Sequence, residues 1–177
     1  LLTSHEPGNE LHIIPEISIP GGSVDYFLAS VCKKRIIDFV GIELQTLDTT
    51  GTVWPERQRF ITDLNLVEEP EEGYGDKQYG MNWKMTAKTI LVQLHHKIDT
   101  FEHINKHLVL VLQDHMLNYM KKEFSFTHLN KIPKLGDPMH FHSYQMAFGE
   151  DKNYHISLNE RLSTNSEGIA ASMGLKA

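Results

Sequence analysis

The chain predicts an α/β domain with a mixed central β-sheet flanked by helices, on three observations. The first fifty residues hold three apolar, strand-length segments punctuated by turn residues. A segment with helical period follows at 83–104. Beyond it come an intensely apolar run, a second helix and a late alternating segment, so that the order is strand, strand, strand, helix, strand, helix, strand.

Residues 11–19 form the first strand, and Pro15 assigns it to an edge or a bulge, because proline cannot donate to a ladder. Pro20-Gly21-Gly22 is a turn. Residues 23–31 and 36–47 are the next two strands, joined by the polar Cys32-Lys33-Lys34-Arg35. Both are nearly apolar on both faces, which predicts a central pair covered on both sides except at one polar corner. A three-residue loop at Lys33–Arg35, or an equivalent bulge, makes Asp25 face Glu43, with Gln45 on the same face. A two-residue loop alone would send the two acids to opposite faces.

Further on, Pro55–Phe60 starts a short helix or loop, and Glu68-Glu69-Pro70-Glu71-Glu72-Gly73 is an acidic loop. In the helix at 83–104, Ala87, Ile90, Leu91, Leu94, Ile98 and Phe101 keep the 3.6-residue period, with Lys84 and Lys88 off the stripe. His107–Gln113 reads as a strand buried on both faces. Asp114 is placed to cap a helix at 115–124. Residues 139–148 alternate as a late strand, and 163–177 is a weakly patterned tail with room for a small helix.

At 177 residues a single domain, 1–177, is expected, with enough length for a real core. Apolar content of 40% and charged content of 23% are ordinary for a soluble globular protein. No apolar run approaches the ~18 residues of a membrane span. The opening Leu1-Leu2-Thr3 has neither an initiator Met nor the pattern of a signal peptide, and suggests a fragment lacking N-terminal residues. Cys32 stands alone, which excludes an internal disulfide or a multi-cysteine metal site and fits a reducing cytoplasm. A net charge of −6 argues against a protein that coats DNA, but not against an enzyme that cuts it.

Glu16, Asp25 and Glu43 carry the chemistry. Each lies in or at the end of an apolar strand, where an unpaired carboxylate costs several kcal/mol. Their convergence is best explained by a divalent cation. Magnesium prefers oxygen ligands and is usually held by one or two carboxylates plus substrate phosphate. Asp25 and Glu43 are the expected ligands, with the Leu44 carbonyl between Glu43 and Gln45 as a further one. Gln45 is uncharged and suits orientation of the attacking water. Glu16 would serve a second metal or its water shell.

These residues carry a resemblance. Pro15-Glu16 through Asp25, followed by Phe39-Val40-Gly41-Ile42-Glu43-Leu44-Gln45, resembles the active-site core of the NotI-type restriction endonucleases, a branch of the PD-(D/E)xK nucleases with glutamine in place of the usual lysine. Asn82-Trp83-Lys84 resembles that family's Asn-Trp-Lys segment, and Leu110–Asp114 its next strand-to-helix element, so the likeness spans residues 10–125. It implies a restriction-endonuclease-like fold and a homodimeric enzyme dependent on Mg2+, with Mn2+ able to substitute. Its implied activity is cutting double-stranded DNA to leave 5′-phosphates. Candidate DNA contacts are Asn82, Lys84 and Lys88 on the long helix, and Arg57 and Arg59 just past the catalytic strand, arginine being a type that reads guanine edges. The helix at 83–104 and the segment 139–177 are candidate dimer surfaces.

Blander readings stand beside these. Asp25 can be a structural acid bonded to the Gly21-Gly22 turn, and Glu43 and Gln45 the solvated face of an edge strand. The lysines and arginines can be ordinary surface charge. Two other function classes remain open. One is a non-catalytic DNA- or partner-binding domain on a nuclease fold. The other is a histidine metalloprotein built on His140 and His142, which share a strand face, with His155 and His12.

Overall fold

The computed structural model describes residues 3–51, 53–64, 80–150 and 152–175 and divides the chain into two compact units. The larger comprises residues 1–46 and 87–177, the smaller 47–86. The acidic loop expected at 68–73 lies outside the described residues.

In the larger unit, β1 (Glu10–Ile19), β2 (Gly22–Cys32), β3 (Arg35–Gln45), β6 (His107–Gln113), β7 (Met139–Phe148) and β8 (Tyr154–Thr164) form one sheet in the order β1-β2-β3-β6-β7-β8. The outer pairs are antiparallel, and β3-β6 and β6-β7 are parallel. The α/β class and the mixed sheet are therefore as expected, and Pro15 does sit on an edge strand. α2 (Trp83–His103) leads into β6, and α3 (Asp114–Glu123) joins β6 to β7. The small tail helix is α4 (Ser166–Ser172), where the Asn165 side chain accepts from the Gly168 N–H. The second unit holds β4 (Thr49–Thr50), α1 (Trp54–Asp63), β5 (Gly80–Met81) and the first turn of α2, tied by Asn82 N–H to the Asp48 carbonyl.

Three expectations need correction. The strand β8 was not anticipated, although Tyr154, Ile156 and Leu158 alternate with polar residues as a strand requires. Asp114 is the first residue of α3 rather than its cap: Gln113 holds the N-cap position, with no side-chain cap bond. The second face of the β2–β3 pair is covered only in part: Ser30 and Val40 are buried there, whereas Tyr26 and Leu44 are exposed. The reason is topological. The crossovers β3-α2-β6 and β6-α3-β7 step the same way across the sheet, and right-handed crossovers then lie on one face.

That helix-covered face holds the core. Ala87, Ile90, Leu91, Leu94, Ile98 and Phe101, the periodic stripe of α2, are all buried, with Leu108, Leu110, Leu112 and Phe141 beneath. The Pro20-Gly21-Gly22 turn docks on α2. A Cβ at Gly21 would lie 2.1 Å from the His96 carbonyl oxygen, and its φ of +92° also favours glycine. Thr100 donates to the Pro20 carbonyl at 2.9 Å.

Candidate functional site

The β2–β3 hairpin turns through two residues, Lys33 and Lys34, at φ +48° and +63°, the left-handed pair that a tight hairpin demands. A two-residue turn alone would separate Asp25 from Glu43. A bulge between Ser30 and Val31 restores the register, so that Ser30 faces Asp38 and Tyr26 faces Ile42. One step beyond, Asp25 stands opposite Glu43. The bulge alternative is the one the chain adopts.

At that step a side chain takes over the ladder. The Asp25 carboxylate accepts from the Leu44 N–H at 2.8 Å. The structural reading of Asp25 thus has a partner, though on β3 rather than in the Gly21-Gly22 turn. Within a strand the N–H and C=O of one residue point the same way, so the Leu44 carbonyl faces the β2 side of β3.

Glu43 is buried, and its Oε1 accepts from Lys97 Nζ at 2.7 Å. Lys97 lies on α2 between Leu94 and Phe101, and its own exposure is only 7%. Its stem crosses Gly22, where an added Cβ would come within 3.2 Å of Cε. Glycine at 22 and Gly41 under Phe101, whose ring would lie 2.5 Å from an added Cβ, let α2 approach closely enough for the ammonium to reach β3. Burial raises the Glu43 pKa, the Lys97 hydrogen bond and charge lower it, and the nearby Asp25 charge raises it again, with a net upward shift. Asp25 is thus close enough to Glu43 for charge to couple them.

Glu16 is not brought into this pair. The β1–β2 ladder keeps one register from Pro15↔Tyr26 to Ile17↔Val24, so the backbone at Glu16 lies across from Asp25, but the two are not a ladder pair. Glu16 is exposed and has φ +49°, a conformation costing roughly 1–2 kcal/mol for a residue with a side chain. The strand changes face there: Ile14 and Ile17, three apart, both line an apolar cleft of about 230 Å³ with Phe27 and Phe101. Among the described residues no three of His, Cys, Asp and Glu group closely enough to hold a metal ion, so the expected three-acid convergence reduces to two acids and a lysine.

Gln45 donates its amide to the Thr46 carbonyl at 2.8 Å. With Leu44 and Thr46 it borders a cleft of about 540 Å³ at the carboxyl ends of β3, β6 and β7, together with Gln113, Asp114 and Tyr144. Crevices at the carboxyl ends of parallel strands are where open α/β sheets bind ligands.

The candidate DNA contacts divide between the units. Arg57, Arg59, Asn82 and Lys84 belong to the smaller one, where Arg57 lies 5.0 Å over the Trp54 ring and Arg59 pairs with Glu56. Lys88 is exposed on α2 in the larger one. Nine residues, two and a half turns, separate it from Lys97, which places it on the side of α2 away from the sheet.

The histidines at the far side of the sheet form a different kind of cluster. His140 is 1% exposed, its Nε2 bonds the Asp137 carbonyl at 2.8 Å, and its buried Nδ1 has no hydrogen-bond partner. The rings of His107 and His142 lie 5.3 and 6.4 Å away. Burial, then the neighbouring His107, lower the His140 pKa to about 4 despite the Asp137 bond, and burial lowers that of His142. Neutral rings suit metal ligation, but these do not converge on a point, in keeping with the absence of any three-ligand group among the described residues.

Lys97 is the residue that sequence reasoning missed. A signal existed: it sits three residues after Leu94 and four before Phe101, on the apolar stripe itself, where an unpaired lysine is rare. Compared with known proteins, the chain matches no family model and no curated sequence. Among the described residues no helix is long and apolar enough to cross a membrane.

Proposed function

We propose that the chain is a divalent-metal-dependent endonuclease of restriction type acting on double-stranded DNA, in the manner of the PD-(D/E)xK nucleases, and working as a homodimer. The observation that carries this reading is the pairing of Asp25 with Glu43 across β2 and β3, with Asp25 held by the Leu44 N–H and Gln45 two residues beyond Glu43. Two carboxylates fit Mg2+, which keeps the rest of its shell for water and phosphate. When bound, the ion would supply an activated water and neutralise charge on the phosphate. The order of β1, β2, β3, α2 and β6 supports a restriction-endonuclease-like sheet.

The protein's own groups divide the remaining work. Asp25 is oriented by the Leu44 N–H. Lys97 holds Glu43 Oε1, leaving Oε2 as the donor toward a cation, and its ammonium opposes the negative charge that gathers where phosphate and carboxylates meet. Gln45, on release from Thr46, can position water by its amide. Hydrolysis adds water across the P–O3′ bond, leaving a 5′-phosphate on the downstream fragment and a 3′-hydroxyl on the upstream one.

A second reading has its own support. Lys97 already answers the charge of Glu43 within the protein, as a non-catalytic DNA- or partner-binding domain on a nuclease fold would allow. Incubation with mixed-sequence duplex DNA and Mg2+ or Mn2+ separates the two. The nuclease reading expects chelator-sensitive cleavage that Asp25→Asn abolishes. The asparagine Oδ1 can still accept from Leu44, so its melting temperature stays within a few degrees of wild type. DNA binding without any nicking in either metal favours the second reading.

A further inference from the structure

The strands β7 and β8 run past the rest of the sheet. The last β6–β7 pair is Gln113↔Tyr144; beyond it, Gln145–Phe148 and Tyr154–Ser157 continue as a two-stranded ribbon. Cross-strand pairs share a face, and alternate residues along a strand do too. Tyr144↔Leu158, Met146↔Ile156 and Phe148↔Tyr154 therefore form one stripe, and Gln145↔Ser157 and Ala147↔His155 the opposite side. The stripe is wholly apolar or aromatic and open to solvent: Met146 is 66% exposed, Phe148 62%, Tyr154 66% and Ile156 73%. Residues 144–148 and 154–158 contain no Asp, Glu, Lys or Arg.

A two-stranded ribbon is marginal by itself and needs a hydrophobic face packed against something. An edge strand without charged residues also lacks the usual guard against association. We infer that two copies of this chain associate face to face through this stripe, about a two-fold axis near the Met146–Ile156 pair. The operation sets Phe148 and Tyr154 of each copy against Tyr144 and Leu158 of the other, so the patch is self-complementary as an isologous interface requires. Side chains of this kind bury roughly 150–250 Å² when aromatic and somewhat less when aliphatic, so six partly exposed ones offer about 600 Å² per copy. A pair then removes about 1,200 Å², the lower end of stable interfaces. The absence of charge decides among occupants. Nucleic acid has no cation to meet here, whereas copies of a chain with net charge −6 meet at a surface where their charges do not oppose one another. The inference takes only the homodimer from the proposed function, and measuring association without cleavage separates the fate of one from the other.

The test is sedimentation or light scattering of the full chain, from micromolar to submillimolar concentration. Wild type is expected to be a dimer. Ile156→Glu should raise the dissociation constant about thirtyfold or more, as loss of a central contact does. Ile132→Glu, at an 85% exposed position outside the stripe, should leave it unchanged. Because a folding defect would also lower dimer content, Ile156→Glu is mixed with Ile156→Lys, and the mixture should regain the dimer. A wild type that stays monomeric, an Ile156→Glu chain that stays dimeric, or a wild-type monomer whose stripe is taken up instead by neutral phospholipid vesicles overturns the inference.

Discussion

Asp25, Glu43 and Lys97 on one side of the sheet, and His107, His140 and His142 on the other, are two solutions to one difficulty. In each, an ionisable group lies out of water. Glu43 is answered by an ammonium delivered from α2, with a second carboxylate beside it. His140 receives no counter-charge and is held neutral, its ring wedged between other histidines. A site that retains charge can grip a cation and steer a phosphate. A site that discards charge packs well but contributes only a pH-dependent term to stability. This contrast is why the first, and not the second, is the candidate active centre.

Three perturbations sharpen the contrast. The largest concerns the ion pair. Removing either partner of a buried pair strands the other, and Lys97→Met or Glu43→Gln is expected to cost about 3–5 kcal/mol in denaturant unfolding. The double variant should recover most of that loss, because neither charge is left alone. Additive losses in the double-mutant cycle would mean that the pair is not coupled. Deleting a carboxylate relieves like-charge repulsion only where no cation answers it, so with Lys97 bonded to Glu43 any such gain belongs to Asp25 and not to Glu43.

The next effect belongs to the histidines. A ring whose pKa falls from 6.5 to about 4 on folding is neutral in both states above 6.5. Below that, the unfolded chain takes the proton first, so stability falls as pH drops from 6.5 toward 4, by about 3 kcal/mol for this ring at most. His107, His142, Asp137 and Arg161 face the cluster and shape the curve. His140→Leu should flatten the slope of stability against pH between 6.5 and 4, and the proposed function expects cleavage to be unchanged by it. An unchanged slope would place the acid sensitivity elsewhere.

The smallest effect tests which acids belong to the charged site. Glycine relieves the left-handed backbone at Glu16, and after its own entropy cost Glu16→Gly should gain up to about 1 kcal/mol in thermal unfolding. Because Glu16 stands outside the Asp25–Glu43 pair, cleavage should persist in this variant. Loss of cleavage with intact folding would return Glu16 to the ligand set.

Much of this architecture could be read directly from the residues. Periodicity located α2 and its buried stripe; apolar runs located β2, β3 and β6; Pro15 assigned β1 to an edge. The face-to-face placement of Asp25 and Glu43 followed from alternation, given a loop of odd length or a bulge. What the local pattern did not carry was β8, whose alternation is plain in Tyr154, Ile156 and Leu158 but is interrupted by the polar Asn159-Glu160-Arg161 before Leu162 returns to the core.

By itself the sequence determined periods and residue types: which segments are strands, which helix is amphipathic, and which acids interrupt apolar runs. Those are properties of neighbours along the chain, set by backbone sterics and side-chain spacing. Only the tertiary structure decided that Lys97 meets Glu43 across fifty-four positions, that Glu16 turns aside, and that Tyr26 and Leu44 stay exposed on the sheet. Such outcomes depend on where α2 lands on the sheet and which side the crossovers take. Close approach at Gly21, Gly22 and Gly41 and the handedness of the connections set both, and neither is a property of any short stretch of chain.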